Sequence, residues 1–415
     1  MDIARPSLVV VVLCCLFFFV GRLADAFFSS QFPRMILDRR GLPGVKQFAR
    51  TSSALLFGGV PAMRRGFAAS FLAVLTMFGG GAAARADNFA GGDREFLTLQ
   101  SENDLFANLT NTDRHYTNGL QAAWLSRPQT DLPVWLTDFS SPPVYSLLFP
   151  TGNFDKKSHR IGVALGHAIF TPDDTQTTAY QPSERPYAAW LHMTFSLQSV
   201  RASSVTGEAW QDQWKLDLGV VGPAAQGEFV QNNWHKLIGA EEANGWRWQI
   251  QDEIGVNLSF ERAWRSSTFD TPRVAGLQTD FIPYTIVSLG NVQTYAGLGG
   301  TLRLGFSLPD DFGPTRVYPG VGGAEWFEPS AEGCNCYVFA GFEGRAVGRD
   351  ITLDGNTFRD SPSIDKRHFV YDAKLGAVFI VWDTRISFTH VFRSREYEGQ
   401  PKPDQFGSVA VNFAF

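Results

Sequence analysis

Cysteine is scarce in this chain, long apolar runs are missing from most of it, and basic charge is in deficit. Only four of the 415 residues are cysteine. Cys14 and Cys15 lie in an amino-terminal apolar segment, which leaves Cys334 and Cys336 with one residue between them. Two thiols do not build a zinc site, and a disulfide across one residue would be strained, so no structural zinc and no disulfide framework is expected. After Asp87 no stretch approaches the roughly 18 consecutive apolar residues of a membrane-spanning helix. Tandem repeats, low-complexity linkers and phosphate-binding loops are absent too; Gly341, Gly344 and Gly348 read as close-packing strand glycines.

Two apolar segments precede that region. Leu8 to Val20 is too short for a spanning helix. Residues 63–86 have the layout of an export signal: Arg64 and Arg65, an apolar core from Phe67 to Phe78, then Ala84 and Ala86. Cleavage is expected after Ala86, with residues 1–62 ascribed to a start codon chosen too far upstream; Ala26, ending "LADA", is the alternative cleavage site. Residues 1–86 hold ten Lys/Arg and three Asp/Glu, so the remainder carries 26 basic against 38 acidic side chains, a net charge near −12. No nucleic-acid partner is expected for so acidic a chain.

What the chain does have is aromatic residues and glycine, with 36 Phe, 11 Trp, 10 Tyr and 40 Gly. That mixture favours β-structure with tight turns over a helical bundle. Strict alternation recurs: Leu302, Leu304, Phe306 and Leu308 interleave with Thr301, Arg303, Gly305 and Ser307, and Trp214, Leu216, Leu218 and Val220 with Lys215, Asp217 and Gly219. Each such strand has one apolar and one polar face. In a soluble sandwich the apolar face meets a second sheet; in an outer-membrane barrel it meets lipid. The last segment, "SVAVNFAF", alternates and ends on Phe415, similar to the carboxy-terminal signature of bacterial outer-membrane barrels.

Strands are expected at 94–104, 116–127, 157–170, 187–200, 210–221, 252–266, 275–289, 292–309, 334–350, 367–381, 384–395 and 404–415. Twelve is an even number, as a closed antiparallel bacterial barrel requires. The predicted fold is therefore all-β, one transmembrane barrel over residues 87–415, integral to the outer membrane and acting as a single chain. Trp124, Trp190 and Trp382 are assigned to its aromatic girdle.

With both termini periplasmic, the connections after strands 1, 3, 5, 9 and 11 lie at the outer rim. Asn103, Asp104 and Thr117 stand there, in "SENDLFANLTNTDRHYTNG". The longest outer connection, Gly222 to Glu253, contains Phe229, Trp234, Leu237 and Ile238 at helical spacing with His235 among them, so a short helix is expected.

"ENDLF", "TDRHYTNG" and "VVGPAAQGEFVQNNWHKLIGAEEANGW" resemble the outer-membrane lipid A 3′-O-deacylase family, LpxR; "LDGNTFRD", "SREYEGQ" and the Phe ending look like its later segments. The resemblance runs from about Phe96 to Phe415. It implies a twelve-stranded barrel that removes the 3′-linked acyloxyacyl chain of lipid A by calcium-dependent ester hydrolysis. Carried over by motif, the family's active-site Asn and Asp fall on Asn103 and Asp104, its Thr on Thr117 and its His on His235. The family's lysine after strand 3 has no counterpart: "FTPDDTQTTAYQPSERPYAAW" offers Thr177, with Arg185 the nearest basic candidate.

Ester hydrolysis needs a base, oxyanion stabilisation and a fixed carbonyl. His235 suits the base, because imidazole titrates near neutrality. Asp104, with Glu102 or Asp113 assisting, offers the hard oxygen ligands that Ca²⁺ takes. Glu102 also fits a plain lumen-lining role, and Asp113 is expected to pair with Arg114. His115 and His167 read as ordinary rim or interface residues. Two other classes remain open: an outer-membrane phospholipase, which would normally set a Ser beside the His, and a passive pore or adhesin, which needs no such rim cluster.

Overall fold

The computed structural model describes residues 89–108, 114–130, 132–133, 154–265, 276–319, 325–330 and 334–415. The expected amino-terminal signal and Asp113 lie outside the described residues. Twelve strands form one closed antiparallel barrel: β1 (Phe96–Asn103), β2 (His115–Leu125), β3 (Lys156–Thr171), β4 (Ala188–Ala202), β5 (Ala209–Val221), β6 (Glu253–Arg265), β7 (Gln278–Gly290), β8 (Gln293–Gly305), β9 (Cys334–Asp350), β10 (Phe369–Val381), β11 (Thr384–Arg393) and β12 (Asp404–Ala414). Each pairs with its chain neighbours, and β1 closes on β12 with Phe96 opposite Ala414 and Asn103 opposite Gly407. Closure leaves no open edge, which is what lets strands cross a bilayer. Among the described residues no helix is long and apolar enough to do so.

The alternation seen in the sequence sorts the two faces. Leu302 and Leu304 are exposed on the outside, while Thr301 and Arg303 are buried inside. Outward Leu165, Met193, Phe195, Leu218, Val256, Leu298 and Leu375 continue this apolar belt around the barrel. Inside, charge pairs with charge: Arg262 with Asp212 at 2.5 Å, Arg345 with Glu343 at 2.6 Å, and Arg393 with Asp372 at 2.9 Å. Removing one member of such a buried pair strands the other, at a cost of about 3–5 kcal/mol.

The connection after β8 holds the main departure from the expected pattern. Alternation would carry β8 to residue 309, but it stops at Gly305: Leu308 turns inward against the core, and Pro309 has no N–H for the ladder. Residues 306–319 and 325–330 then fold back into the lumen. Arg316 pairs with Glu261 at 2.8 Å, and Phe312, Trp326 and Phe327 pack with Phe96, Ile282 and Phe339. The segment climbs until the Tyr318 carbonyl accepts from Arg393 at 2.6 Å and the Pro319 carbonyl accepts from Tyr295 at 2.8 Å. The lumen is thus filled by a plug.

Trp190 is a correction. It does not join an outward girdle, but is buried, stacked on His192 at 4.9 Å and packed among Phe170, Val317 and Ile351. Trp382 is exposed in the tight turn between β10 and β11, and Trp124 donates to Glu95 at 3.0 Å.

The connections after β1, β3, β5, β9 and β11 gather at one end, the mouth. They include α1 (Leu105–Asn108), α2 (Gly227–Ile238) and α3 (Ile351–Asp354). The predicted helix around His235 is α2. It ends on Gly239 at φ 75°, a left-handed cap that favours glycine. Its start presses so close to the wall that a Cβ on Gly227 would overlap Trp246 and Ala189.

Candidate active site

Three expected residues meet where β1 hands over to β2. Asn103 ends β1, and its Nδ2 donates to the Thr117 carbonyl at 2.9 Å. The register slips between Tyr116 and Asn118, so Thr117 sits in a local irregularity; such bulges re-aim side chains. The Thr117 hydroxyl pairs with that of Thr171 on β3 at 2.7 Å, and both residues are buried. Asp104, also buried, accepts the Arg114 backbone N–H at 3.1 Å, while its own carbonyl accepts from Ala107 at 3.0 Å.

His235 comes from α2, which lies over β3 and β4. His167 donates across the seam to the Ala225 carbonyl at 2.8 Å, the interface role expected of it. Val230 and Trp246 pack with Ile169, Ala189 and Leu191. The buried stripe of α2 is Gly227, Gln231 and His235, spaced i, i+4, i+8. Gln231 accepts from Trp246 at 2.9 Å, and Asn232 holds the Ala243 N–H at 2.8 Å, fixing the return loop. Within that loop the Glu241 carbonyl bonds His235 Nδ1. A carbonyl only accepts, so Nδ1 carries the proton and Nε2 is the basic nitrogen.

Glu102 answers to the lumen. Its oxygens accept from Tyr116 at 2.6 Å, from Gln100 at 2.8 Å and from the Tyr318 backbone N–H at 3.2 Å. The expected metal ligand beside Asp104 is thus engaged here by lumen donors, including the tip of the plug. Tyr318 also stacks on Tyr116 at 5.0 Å, so the plug braces from inside the strands that carry Asn103 and Thr117.

His115 is no ordinary rim residue. It is buried, and holds a left-handed φ of 61° that a non-glycine residue keeps only where its surroundings impose it. Nδ1 faces Asp404 at 2.6 Å and Nε2 faces the Tyr397 hydroxyl at 2.9 Å; that hydroxyl gives its one proton to Glu184 at 2.7 Å. Both ring nitrogens therefore donate, and the ring is an imidazolium. Burial alone would raise the Glu184 carboxyl, but hydrogen bonds from His115 and Tyr397 hold it below the usual carboxylate range. Burial and Glu184 push the Tyr397 hydroxyl up, so it stays protonated. Four residues distant in sequence clamp the loops after β1, β3 and β11, and no periodicity in the chain announces them.

Arg185 does not replace the missing lysine. Fully buried, it stacks over Phe170 at 4.7 Å, pairs with Glu396 at 3.2 Å and donates to Thr352 at 2.9 Å, all on the inner side of the mouth. Thr177 is half-buried in the loop after β3, accepting from the Ala179 N–H at 3.2 Å. Arg114 approaches Asp173 at 3.8 Å and Asp404 at 3.9 Å.

The family model of the outer membrane protein LpxR matches residues 68–415. This chain belongs to the LpxR family. Its fold is similar to that of LpxR from Salmonella typhimurium, with a TM-score of 0.59 at 20% identity over 77% of this chain and 100% of that one. Weaker likenesses include the β domain of the Bordetella autotransporter BrkA, with a TM-score of 0.40 at 7% identity over 78% of this chain and 99% of that chain. No curated protein matches by sequence. As an LpxR-family barrel with apolar residues on its outward face, the protein is integral to the outer membrane.

Proposed function

We propose that the protein is an outer-membrane esterase that hydrolyses the 3′-O-linked acyloxyacyl chain of lipid A, acting as a single chain on lipopolysaccharide. Membership of the LpxR family supports the substrate class, and the plugged lumen favours an enzyme over a pore. The observation that carries the chemistry is the His235–Glu241 hydrogen bond, which points a basic Nε2 away from the loop that holds the ring.

In this reading His235 Nε2 takes a proton from water, and the resulting hydroxide adds to the ester carbonyl carbon. Collapse breaks the bond to the sugar oxygen, and the proton held on His235 passes to that leaving oxygen. A freed acyloxyacyl fatty acid and a lipid A with a 3′-hydroxyl result. Asn103 and Thr117 orient the water or donate to the developing oxyanion.

The donor set at the β1–β2 handover is made of oxygen alone: the Asp104 carboxylate, the Asn103 amide oxygen and the Thr117 hydroxyl. That chemistry fits Ca²⁺. Asp104 is the one acid in it, as no cluster of three His, Cys, Asp or Glu residues suited to a metal occurs among the described residues. Asp104 would hold the ion, with Asn103 and Thr117 supplying neutral oxygens. When bound, the ion supplies positive charge that polarises the ester carbonyl, worth several kcal/mol.

Mass spectrometry of lipid A from cells with and without the protein tests this reading. Loss of the 3′-linked chain only when the protein is present is the expected result; release of glycerophospholipid acyl chains instead would mark a phospholipase, and unchanged lipids a non-enzymatic barrel.

A further inference from the structure

Gly407 is buried although it stands on the outward face of β12. Its neighbours fix that face: Phe406 points inward against Tyr116, and the Ser408 hydroxyl accepts from Gln100 inside the lumen at 3.1 Å, so position 407 between them looks out. What covers it is α1. A Cβ at position 407 would lie 2.5 Å from the Phe106 Cβ, 3.1 Å from the Phe106 carbonyl carbon and 3.4 Å from its Cα. Two of those atoms are main chain, so the helix backbone itself rests on the wall. Glycine inside a strand weakens it and marks a place where another backbone comes close. Gly407 has no left-handed φ to satisfy, so room for α1 is what the position requires.

The seat matters because of what precedes it. Asp104 stands directly before α1 and its carbonyl accepts the Ala107 N–H at 3.0 Å, so the acid moves with the helix. Gly407 itself lies opposite Asn103 in the ladder. The same strand also holds the other side of Asp104. Asp404, three residues before Gly407, bonds His115 at 2.6 Å, and Arg114, next to His115, gives its backbone N–H to the Asp104 carboxylate at 3.1 Å. β12 thus fixes Asp104 twice, through the helix that follows it and through the residues that begin β2. Both ties span the seam where β1 closes on β12.

We propose that Gly407 is a positioning residue for the calcium site: by carrying no side chain it lets α1 seat on β12, and so sets the Asp104 carboxylate beside Asn103 and Thr117. The seat stands on geometry; its meaning for calcium rests on the deacylase reading. Non-bonded carbons pack at about 3.5–4.0 Å, so a methyl group at position 407 must lift Phe106 by about 1 Å. Ca²⁺ takes its oxygen ligands at about 2.3–2.6 Å, and a shift of that size carries the carboxylate out of reach.

The test uses the full barrel in detergent. Gly407→Ala should weaken calcium binding, read by calorimetry, roughly 10–100-fold, the scale of losing a group that supports a metal ligand, while heat-modifiable gel mobility shows the barrel folded. Gly341→Ala is the control, since a Cβ there would meet nothing nearer than 3.5 Å; its calcium affinity should match the wild type. Adding Phe106→Gly to Gly407→Ala removes the 2.5 Å contact and should restore most of the affinity. A folded Gly407→Ala that binds calcium as the wild type does overturns the proposal, as does an equal loss in Gly341→Ala. Where Gly407→Ala does not fold, the double variant decides: folded with near-wild-type affinity it supports the seat, and unfolded or without affinity it refutes it. A wild-type protein that binds no calcium would refute the calcium reading alone. Hydrogen exchange at residues 104–107 then reads the seat by itself: faster exchange in Gly407→Ala than in the wild type supports it, and unchanged exchange overturns it.

Discussion

His235 Nδ1 is bonded to the main-chain carbonyl of Glu241, six residues on, and that contact decides which nitrogen of the ring is basic. The carbonyl fixes the tautomer and the orientation of the ring. Replacing His235 with Ala should lower turnover by about 10²–10⁴-fold, the usual contribution of a general base. Barrel stability comes from the closed strand ladder, so the variant should still insert and keep its heat-modifiable gel mobility. A folded variant that trims lipid A at the wild-type rate would overturn the assignment.

Asp104 supplies the only carboxylate of the proposed calcium site. Asp104→Asn should abolish most activity, and chelator should do the same to the wild-type protein, because a carboxylate beside a developing oxyanion is unfavourable unless a cation reverses the local charge. Full-rate deacylation after chelation would exclude the metal role.

Glu102 gives the converse experiment. Its partners are Tyr116, Gln100 and the Tyr318 backbone. Glu102→Gln should destabilise the barrel by about 1–3 kcal/mol, the cost of disrupting a buried hydrogen-bonded charge, read as a lower temperature of heat modification. The calcium concentration for half-maximal activity should not move; a raised calcium requirement would restore Glu102 to the metal site.

The His115 clamp predicts a pH effect at the acid end. The folded Glu184 carboxyl titrates below its usual value, so its contribution is fully present above about pH 4.5 and is lost as pH falls through the lower folded value. Hydrogen exchange of residues 394–403, corrected for intrinsic rates, should accelerate in acid. Tyr397→Phe removes the hydroxyl that bridges His115 and Glu184, and should bring the fast exchange to neutral pH. Protection unchanged by either perturbation would show that the clamp does not hold the loops.

Residues 1–86 are expected to be absent from the mature protein. Sequencing the amino terminus of the outer-membrane form should give a start at Asp87; a start near Met1 or after Ala26 would refute the assignment.

The sequence by itself determined the barrel. Side chains in a strand alternate with period two, so Leu302 against Arg303, or Leu218 against Lys215, already states which face meets lipid, and twelve such segments close a ring. The β9 span of Cys334–Asp350 was legible to the residue. Local motifs likewise brought Asn103, Asp104 and Thr117 to one rim, because neighbours on an antiparallel pair meet across the turn. Tertiary structure alone decided the rest. Residues 306–319 and 325–330 carry no periodicity that says they fill the lumen; they do so because Arg316, Tyr318 and Trp326 find partners on strands far away in the chain. His115 and Asp404 begin β2 and β12 while Glu184 and Tyr397 lie in the loops after β3 and β11, and only closure of the ring sets them within hydrogen-bond reach. The orientation of α2 was hidden for a related reason: hydrophobic spacing tells which residues share a face, but which face meets protein depends on what lies opposite. Here the wall takes Gly227 for closeness and Gln231 and His235 for their hydrogen bonds, and Phe229 and Leu237 are left pointing out.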